Sequence, residues 1–119
     1  MFKVLHAEDL KREGSNTAVF QGVDHGSGIS FFSVDNEPGQ GPELHKHPYS
    51  ETWLVLEGHG VITADGEEIP AGPGAIVVVG ADTPHKFRNA GTGRLKIVCI
   101  HASPEFVSEM LPDDDASVA

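Results

Sequence analysis

Apolar residues occur in short bursts along the chain and never at sustained helical spacing. Segments 17–20, 29–34, 52–56, 61–63, 75–79 and 95–100 are rich in β-branched and aromatic side chains. Their length falls short of a helix and suits a strand. All 14 glycines and 8 prolines lie outside them. Asp65-Gly66, between Ile62 and Ile69, is the dipeptide of a two-residue type I′ hairpin turn, because both positions tolerate positive φ. Pro70-Ala71-Gly72-Pro73-Gly74 forces a second reversal. The pattern predicts an all-β fold of short antiparallel strands, a sandwich or barrel. Only the ends read as helical. Residues 8–13 are expected to make one or two turns after a first strand. Ser103 as N-cap, Pro104 at the first helical position and Glu105 near the dipole's positive end predict a short C-terminal helix. It would run to about Leu111, packing Phe106, Val107 and Met110 on the barrel, with Pro112 stopping it. Residues 1–111 form a single predicted domain, and the acidic tail 112–119 is expected to be disordered.

Size and composition agree with that picture. A chain of 119 residues suits one domain, and 39% hydrophobic with 22% charged residues excludes a disordered protein. No apolar run approaches the roughly 18 to 20 residues that span a bilayer. The start, MFKVLHAEDLKREG, is charged throughout and lacks the apolar stretch of a signal peptide, so a cytoplasmic location is expected. Eight basic and 18 acidic residues leave a net charge of −10. That balance repels phosphate backbones and anionic headgroups and excludes nucleic acid and membrane surfaces as partners. Cys99 is the lone cysteine and has no intrachain disulfide partner. In its β-like stretch it reads as a small buried hydrophobe rather than a nucleophile.

Seven histidines are many for this length, and their placement carries more than the number. His45 and His47 stand two apart in an extended context, so their rings project from one face. Pro48 interrupts the strand, and the chain is expected to turn through Pro48-Tyr49-Ser50. Glu51 then opens the next strand, which as an antiparallel hairpin partner would bring its carboxylate across from the histidine pair. His85 follows the turn Ala81-Asp82-Thr83-Pro84 and precedes Phe87; a barrel wall could carry it opposite that hairpin. Three imidazoles and one carboxylate suit a first-row divalent ion and leave up to two positions open for chemistry.

The stretch Gly39-x5-His45-x-His47-x3-Glu51-x6-Gly58 resembles the first motif of the cupin superfamily at every fixed position. Gly74, His85 and Asn89 match the second motif in spacing. Gly80 stands there where proline is usual and Asp82 where glycine is usual. Both departures fall in the turn before His85, and aspartate tolerates the left-handed backbone. The resemblance implies a small antiparallel jelly-roll β-barrel holding one divalent transition metal (Fe, Mn, Ni or Zn) on His45, His47, Glu51 and His85. It also implies a homodimer, the common state in the family. Similar sites serve dioxygenases, isomerases, decarboxylases, cyclases and plain binding domains.

The remaining candidates follow from register. Phe87 shares the face of His85, and Trp53 that of Glu51, so both are expected to line the cavity. His101, closing the last strand, is a further candidate for the cavity, where it could shuttle protons. Phe31, Phe32 and Phe106 read as core. His6, His25 and His59 match no ligand position, Lys46 and Lys86 should point away from the ligands, and Asn89 should brace the turn after its strand. The expected function is a metal-dependent enzyme on a small organic molecule, either dioxygenase-like or a Lewis-acid isomerase, cyclase or decarboxylase. Glu51 would be the catalytic residue as well as a ligand. The alternatives are a small-ligand-binding module without turnover and a barrel whose metal only staples strands. The chain shows neither a helix-turn-helix segment nor a basic face.

Overall fold

Alternation with period two decides which face each strand buries. The computed structural model describes residues 1–113. Its strands are β1 (Ala18–Phe20), β2 (Ser30–Asn36), β3 (His45–Lys46), β4 (Glu51–Glu57), β5 (Gly60–Ala64), β6 (Glu67–Ala71), β7 (Ile76–Val79), β8 (His85–Asn89), β9 (Leu95–His101) and β10 (Glu109–Met110). They form two five-stranded sheets, ordered β1-β2-β9-β4-β7 and β10-β3-β8-β5-β6, with antiparallel pairing throughout. The expected all-β antiparallel barrel is what the chain makes. Among the described residues no helix is long and apolar enough to cross a membrane.

The inner faces meet over Val34, Trp53, Val55, Ile62, Val79, Phe87, Leu95, Ile97 and Cys99, all buried. Inward positions of β4 and β9 change from apolar to polar along their length, and those of β8 place a phenylalanine between two polar groups. On β9 the buried series is Leu95, Ile97, Cys99 and His101; on β4 it is Val55, Trp53 and Glu51; on β8 it is Asn89, Phe87 and His85. One end of the barrel is therefore a packed core and the other a polar site on the same strands.

Turn chemistry holds where it was expected. Asp65 and Gly66 both take positive φ, 52° and 82°, as a type I′ turn demands. Gly58 combines φ +87° with a close approach: a Cβ there would lie 2.2 Å from the Arg94 carbonyl oxygen, so only glycine fits. Pro70 sits on β6, which pairs only with β5 among the described strands and so tolerates a missing donor.

Several expectations change. Residues 103–111 form no helix. Ser103 Oγ does accept from the Glu105 amide, but the chain then runs through bends into β10, which pairs with β3. Tertiary bonds hold it extended: the Phe106 amide donates to Gln21 Oε1 and the Val107 amide to the Tyr49 hydroxyl. These contacts take the amides that a helix would use. At the other end, residues 8–13 give only a 3₁₀ turn over Ala7–Leu10 with no strand before it.

Nor do β3 and β4 form a hairpin. Residues 47–50 carry the chain from one sheet to the other, β4 pairing with β7 and β9 and β3 with β8 and β10. Glu51 thus faces the histidines across the barrel interior, whereas His85 is the direct strand partner of His45. Phe31 is outward on its sheet, stacked on Phe20 at 4.8 Å, and is no part of the inner core. Of the tail, residues 114–119 lie outside the described residues; Asp113 is ion-paired with Lys86.

Candidate metal centre

The donor atoms of His45, His47, Glu51 and His85 all lie within 4.8 Å of one another. Three of the four groups are buried and His45 is half-buried at the cavity side. The turn before His85 is what fixes its place. Asp82 takes φ +60°, the left-handed backbone that its side chain tolerates, and its amide donates to the His47 carbonyl at 2.7 Å. One ligand's turn is thereby tied to another ligand's backbone. Asn89 braces the far end of β8: its Nδ2 donates to the Asn36 and Gly93 carbonyls and its Oδ1 accepts from the Gly91 amide.

Each ligand ring is bonded behind by a backbone carbonyl. His45 Nδ1 meets Glu43 O at 2.6 Å, His47 Nδ1 meets Val107 O at 2.8 Å, and His85 Nδ1 meets Thr83 O at 2.8 Å. A carbonyl can only accept, so each Nδ1 carries the proton and each neutral Nε2 presents a lone pair. This assignment follows from the bonding partners. His47 Nε2 lies 3.0 Å from Glu51 Oε1 and His85 Nε2 3.1 Å from the same oxygen. His47 Nε2 is nonetheless a buried atom without a hydrogen bond. Lone pairs aimed at a carboxylate repel unless a cation stands between them. The 3.0 and 3.1 Å separations of Glu51 Oε1 from the two Nε2 atoms are short enough for all three to hold one ion. The donor set and the orphaned nitrogen therefore fit a divalent transition metal.

The other carboxylate oxygen is occupied differently. Glu51 Oε2 accepts from Trp53 Nε1 at 2.5 Å and faces His101 Nε2 at 3.3 Å. His101 Nδ1 is bonded to the Tyr49 hydroxyl at 2.6 Å, and that hydroxyl accepts from the Val107 amide. With the hydroxyl donating to Nδ1, His101 carries its proton on Nε2, the reverse of the three ligand rings. Burial alone would raise the Glu51 carboxyl, but its polar contacts, the one with His101 first and then those with the His47 and His85 rings, outweigh it and hold the group well below the usual carboxylate range. Positive charge belongs among these nitrogens, whether carried by protons or by an ion. Burial lowers the pKa of His45, which favours its neutral, ligating form, and raises that of Tyr49, which stays a phenol.

A cavity of about 720 Å³ opens onto the cluster, with Phe32, Val34, Trp53, Phe87, Cys99 and His101 in its wall. Trp53 and Phe87 are both in its lining, edge to face with centroids 5.2 Å apart. His101 lines it too. Phe32 also belongs to the wall and stacks on Phe106 at 4.5 Å. Burial raises the Cys99 thiol well above its ordinary value, which favours the thiol over the nucleophilic thiolate. His6, His25 and His59 lie outside the cluster, and Lys46 and Lys86 turn to Glu109 and Asp113.

Sequence reasoning missed Tyr49, Val107 and Ser108, whose Oγ is 3.0 Å from His47 Nδ1. Their partners lie 52 to 61 positions away, which no local pattern reveals.

Comparison with known proteins agrees with this geometry. The uncharacterized protein MJ1618 of Methanocaldococcus jannaschii is 40% identical over 62 residues, 51% of this chain and 50% of that one. The polyketide synthase CurC of Streptomyces cyaneus is 32% identical over 96 residues, 79% of this chain and 62% of that one. The chain thus spans between half and two-thirds of the length of these curated relatives. The oxalate decarboxylase of Lactobacillus farciminis, solved as a formate complex, superposes with a TM-score of 0.76 at 24% identity, over 89% of this chain and 35% of that one; the likeness speaks to fold. Residues 32–101, which include all four clustered ligands, match the cupin domain (Cupin_2), and the chain belongs to that family.

Proposed function

We propose that this cupin holds one divalent transition-metal ion on His45, His47, His85 and Glu51 and acts as an enzyme on a small organic molecule bound beside it. The observation that carries the reading is the backing of the three rings, each Nδ1 bonded to a backbone carbonyl, with the Nε2 atoms of His47 and His85 about 3 Å from Glu51 Oε1 and His45 in the same cluster. Such an ion supplies Lewis acidity to a bound oxygen and, if redox-active, electron transfer; three nitrogens and one oxygen accept Fe, Mn, Ni or Zn.

The chain's own residues do the positioning. Trp53 and His101 hold Oε2, which leaves Oε1 as the oxygen turned toward the histidines. Phe32, Trp53 and Phe87 exclude water from one wall of the cavity. His101 Nε2 lies 3.3 Å from Glu51 Oε2, and the Tyr49 hydroxyl bonded to Nδ1 keeps the ring's proton on that face. That hydrogen bond keeps Glu51 ionised and oriented within the cluster.

The reaction is then either oxygen-consuming, of dioxygenase type, or a non-redox isomerisation, cyclisation or decarboxylation. Elemental analysis of protein purified without added metal is expected to find one ion per chain. Oxygen uptake with candidate enols, compared between aerobic and anaerobic cells, separates the two branches. Ligand binding without turnover in either would identify a binding module instead.

The expected homodimer has a candidate surface. The outer face of β7, β4 and β9 exposes Ile76, Val78, Leu54 and Ile100, and the extended start of the chain exposes Phe2 and Val4. Apolar faces of this kind mark association sites. Light scattering should report twice 12.6 kDa; the monomer mass would refute the dimer.

A further inference from the structure

The cavity's charge balance and wall say which ligands the centre can take. Resting on the metal-centre reading above, we infer that the site selects an organic ligand with a single chelating oxygen pair, at most one negative charge and an apolar, aromatic-sized body. Enolised β-dicarbonyls, hydroxy-ketones of the tropolone kind and catechol-like monoanions are its chemical class. Small dicarboxylate dianions are excluded.

Three observations lead there. The first is size: about 720 Å³ falls in the range of cavities for whole organic molecules, roughly 300 to 1,000 Å³, and far exceeds a four-oxygen dianion. The second is the wall beside the cluster, where Phe32, Val34, Trp53, Phe87 and Cys99 offer no unspent hydrogen-bond donor of strength. The indole N–H of Trp53 is committed to Glu51, and the Cys99 thiol is a weak donor. Against these five side chains a ligand's second charged end would meet hydrocarbon, and the remaining polar lining, Ser108 among it, is uncharged apart from the groups considered next.

The third is charge. Apart from histidines, Arg94 is the one basic side chain among the described lining residues. Its guanidinium is already taken: Nε is paired with Asp35 Oδ1, Nη2 donates to the Asp35 carbonyl, and Nη1 lies 3.9 Å from Glu37. Asp35 and Glu37 themselves line the mouth, so that end repels anions. At the centre, a divalent ion and the Glu51 carboxylate sum to one positive charge. A monoanionic chelate brings this to zero. A dianion leaves a net negative charge against an apolar wall with no free cation to answer it, an arrangement that burial penalises. Uncharged polar groups at the far end of the ligand would meet Asn16 and Gln40 at the mouth.

The test loads the protein with Co(II) and confirms one ion per chain by calorimetry. Tropolone and oxalate are then titrated separately, read by calorimetry and by the visible Co(II) bands. The ratio of their association constants is divided by the same ratio for aqueous Co(II), which removes their intrinsic chelating strengths. The expected quotient favours tropolone at least tenfold. Asp35→Asn, which loosens Arg94 without touching the cluster, should raise oxalate affinity at least threefold and leave tropolone within twofold. A quotient of one or less, or failure of the loaded protein to bind tropolone, overturns the inference while the metal reading stands. Failure to take up an ion overturns both.

Discussion

Four imidazoles surround Glu51, and three of them differ from the fourth in where the proton sits. His45, His47 and His85 have a backbone carbonyl behind Nδ1 and a bare Nε2 in front. His101 has a phenol behind Nδ1 and an N–H in front. One residue type therefore fills two jobs, set by the group bonded to its far nitrogen. A backbone carbonyl behind Nδ1, which can only accept, leaves Nε2 free to ligate, whereas the Tyr49 hydroxyl, donating to Nδ1, makes His101 a donor at Nε2. The same division splits the carboxylate: Oε1 faces the lone pairs, and Oε2 accepts from Trp53 and His101.

The largest effect should come from removing a carbonyl-backed ring. His47→Ala or His85→Ala is expected to weaken ion binding at least about 100-fold in calorimetry, a full ligand counting for more than the roughly 10- to 100-fold of an outer partner. His101→Ala should lose less, within the roughly 10- to 100-fold of an outer partner, since His101 supports Glu51 and does not ligate. Equal losses at His85 and His101 would erase the distinction between the two kinds of ring. Tyr49→Phe sharpens it further: with its phenol hydrogen removed, His101 can reverse its tautomer, and ion affinity should move several-fold with the fold intact by circular dichroism.

Ion removal is the next effect in size. A ligand at about 100 times its Kd stabilises a protein by about 2.7 kcal/mol, so chelation should lower Tm by several degrees in a thermal scan. The ion-free protein should also be acid-sensitive, and the sign follows from the two shifts. The His45 pKa is lowered, so the folded chain binds fewer protons than the unfolded chain below the ordinary value of 6.5. Glu51 is held down as well; its contribution is complete above 4.5 and is lost as pH falls below that. Both make stability fall with acidification, the His45 part below 6.5 and the Glu51 part below 4.5, which urea titrations carried from above the first value to below the second would show. Stability rising toward acid would contradict the proton assignment. The smallest effect concerns the turn that carries His85. Asp82→Ala should cost about 1 kcal/mol at φ +60°, and Asp82→Gly should cost less.

How much of this was legible depends on distance along the chain. His45, His47, Glu51 and His85 could be found because strand period and motif spacing are local, and Trp53 and Phe87 followed by counting two residues from a ligand. The path between His47 and Glu51 was misread: a turn after Pro48 looks the same locally whether the chain folds back on its own sheet or crosses to the other. The C-terminal segment was misread for a related reason. Ser103-Pro104-Glu105 is a sound helix start, but Gln21, Leu44 and Tyr49 claim the backbone amides that follow. Tyr49 itself gave no signal, because its role exists only once β9 brings His101 beside it.

X-ray absorption of the protein loaded with Mn(II) or Zn(II) tests the shared centre most directly. A first shell containing three imidazole nitrogens and a carboxylate oxygen, at roughly 2.0 to 2.2 Å for zinc, is the predicted spectrum. A shell of oxygens alone, or one in which His85→Ala leaves the imidazole signal unchanged, would contradict it.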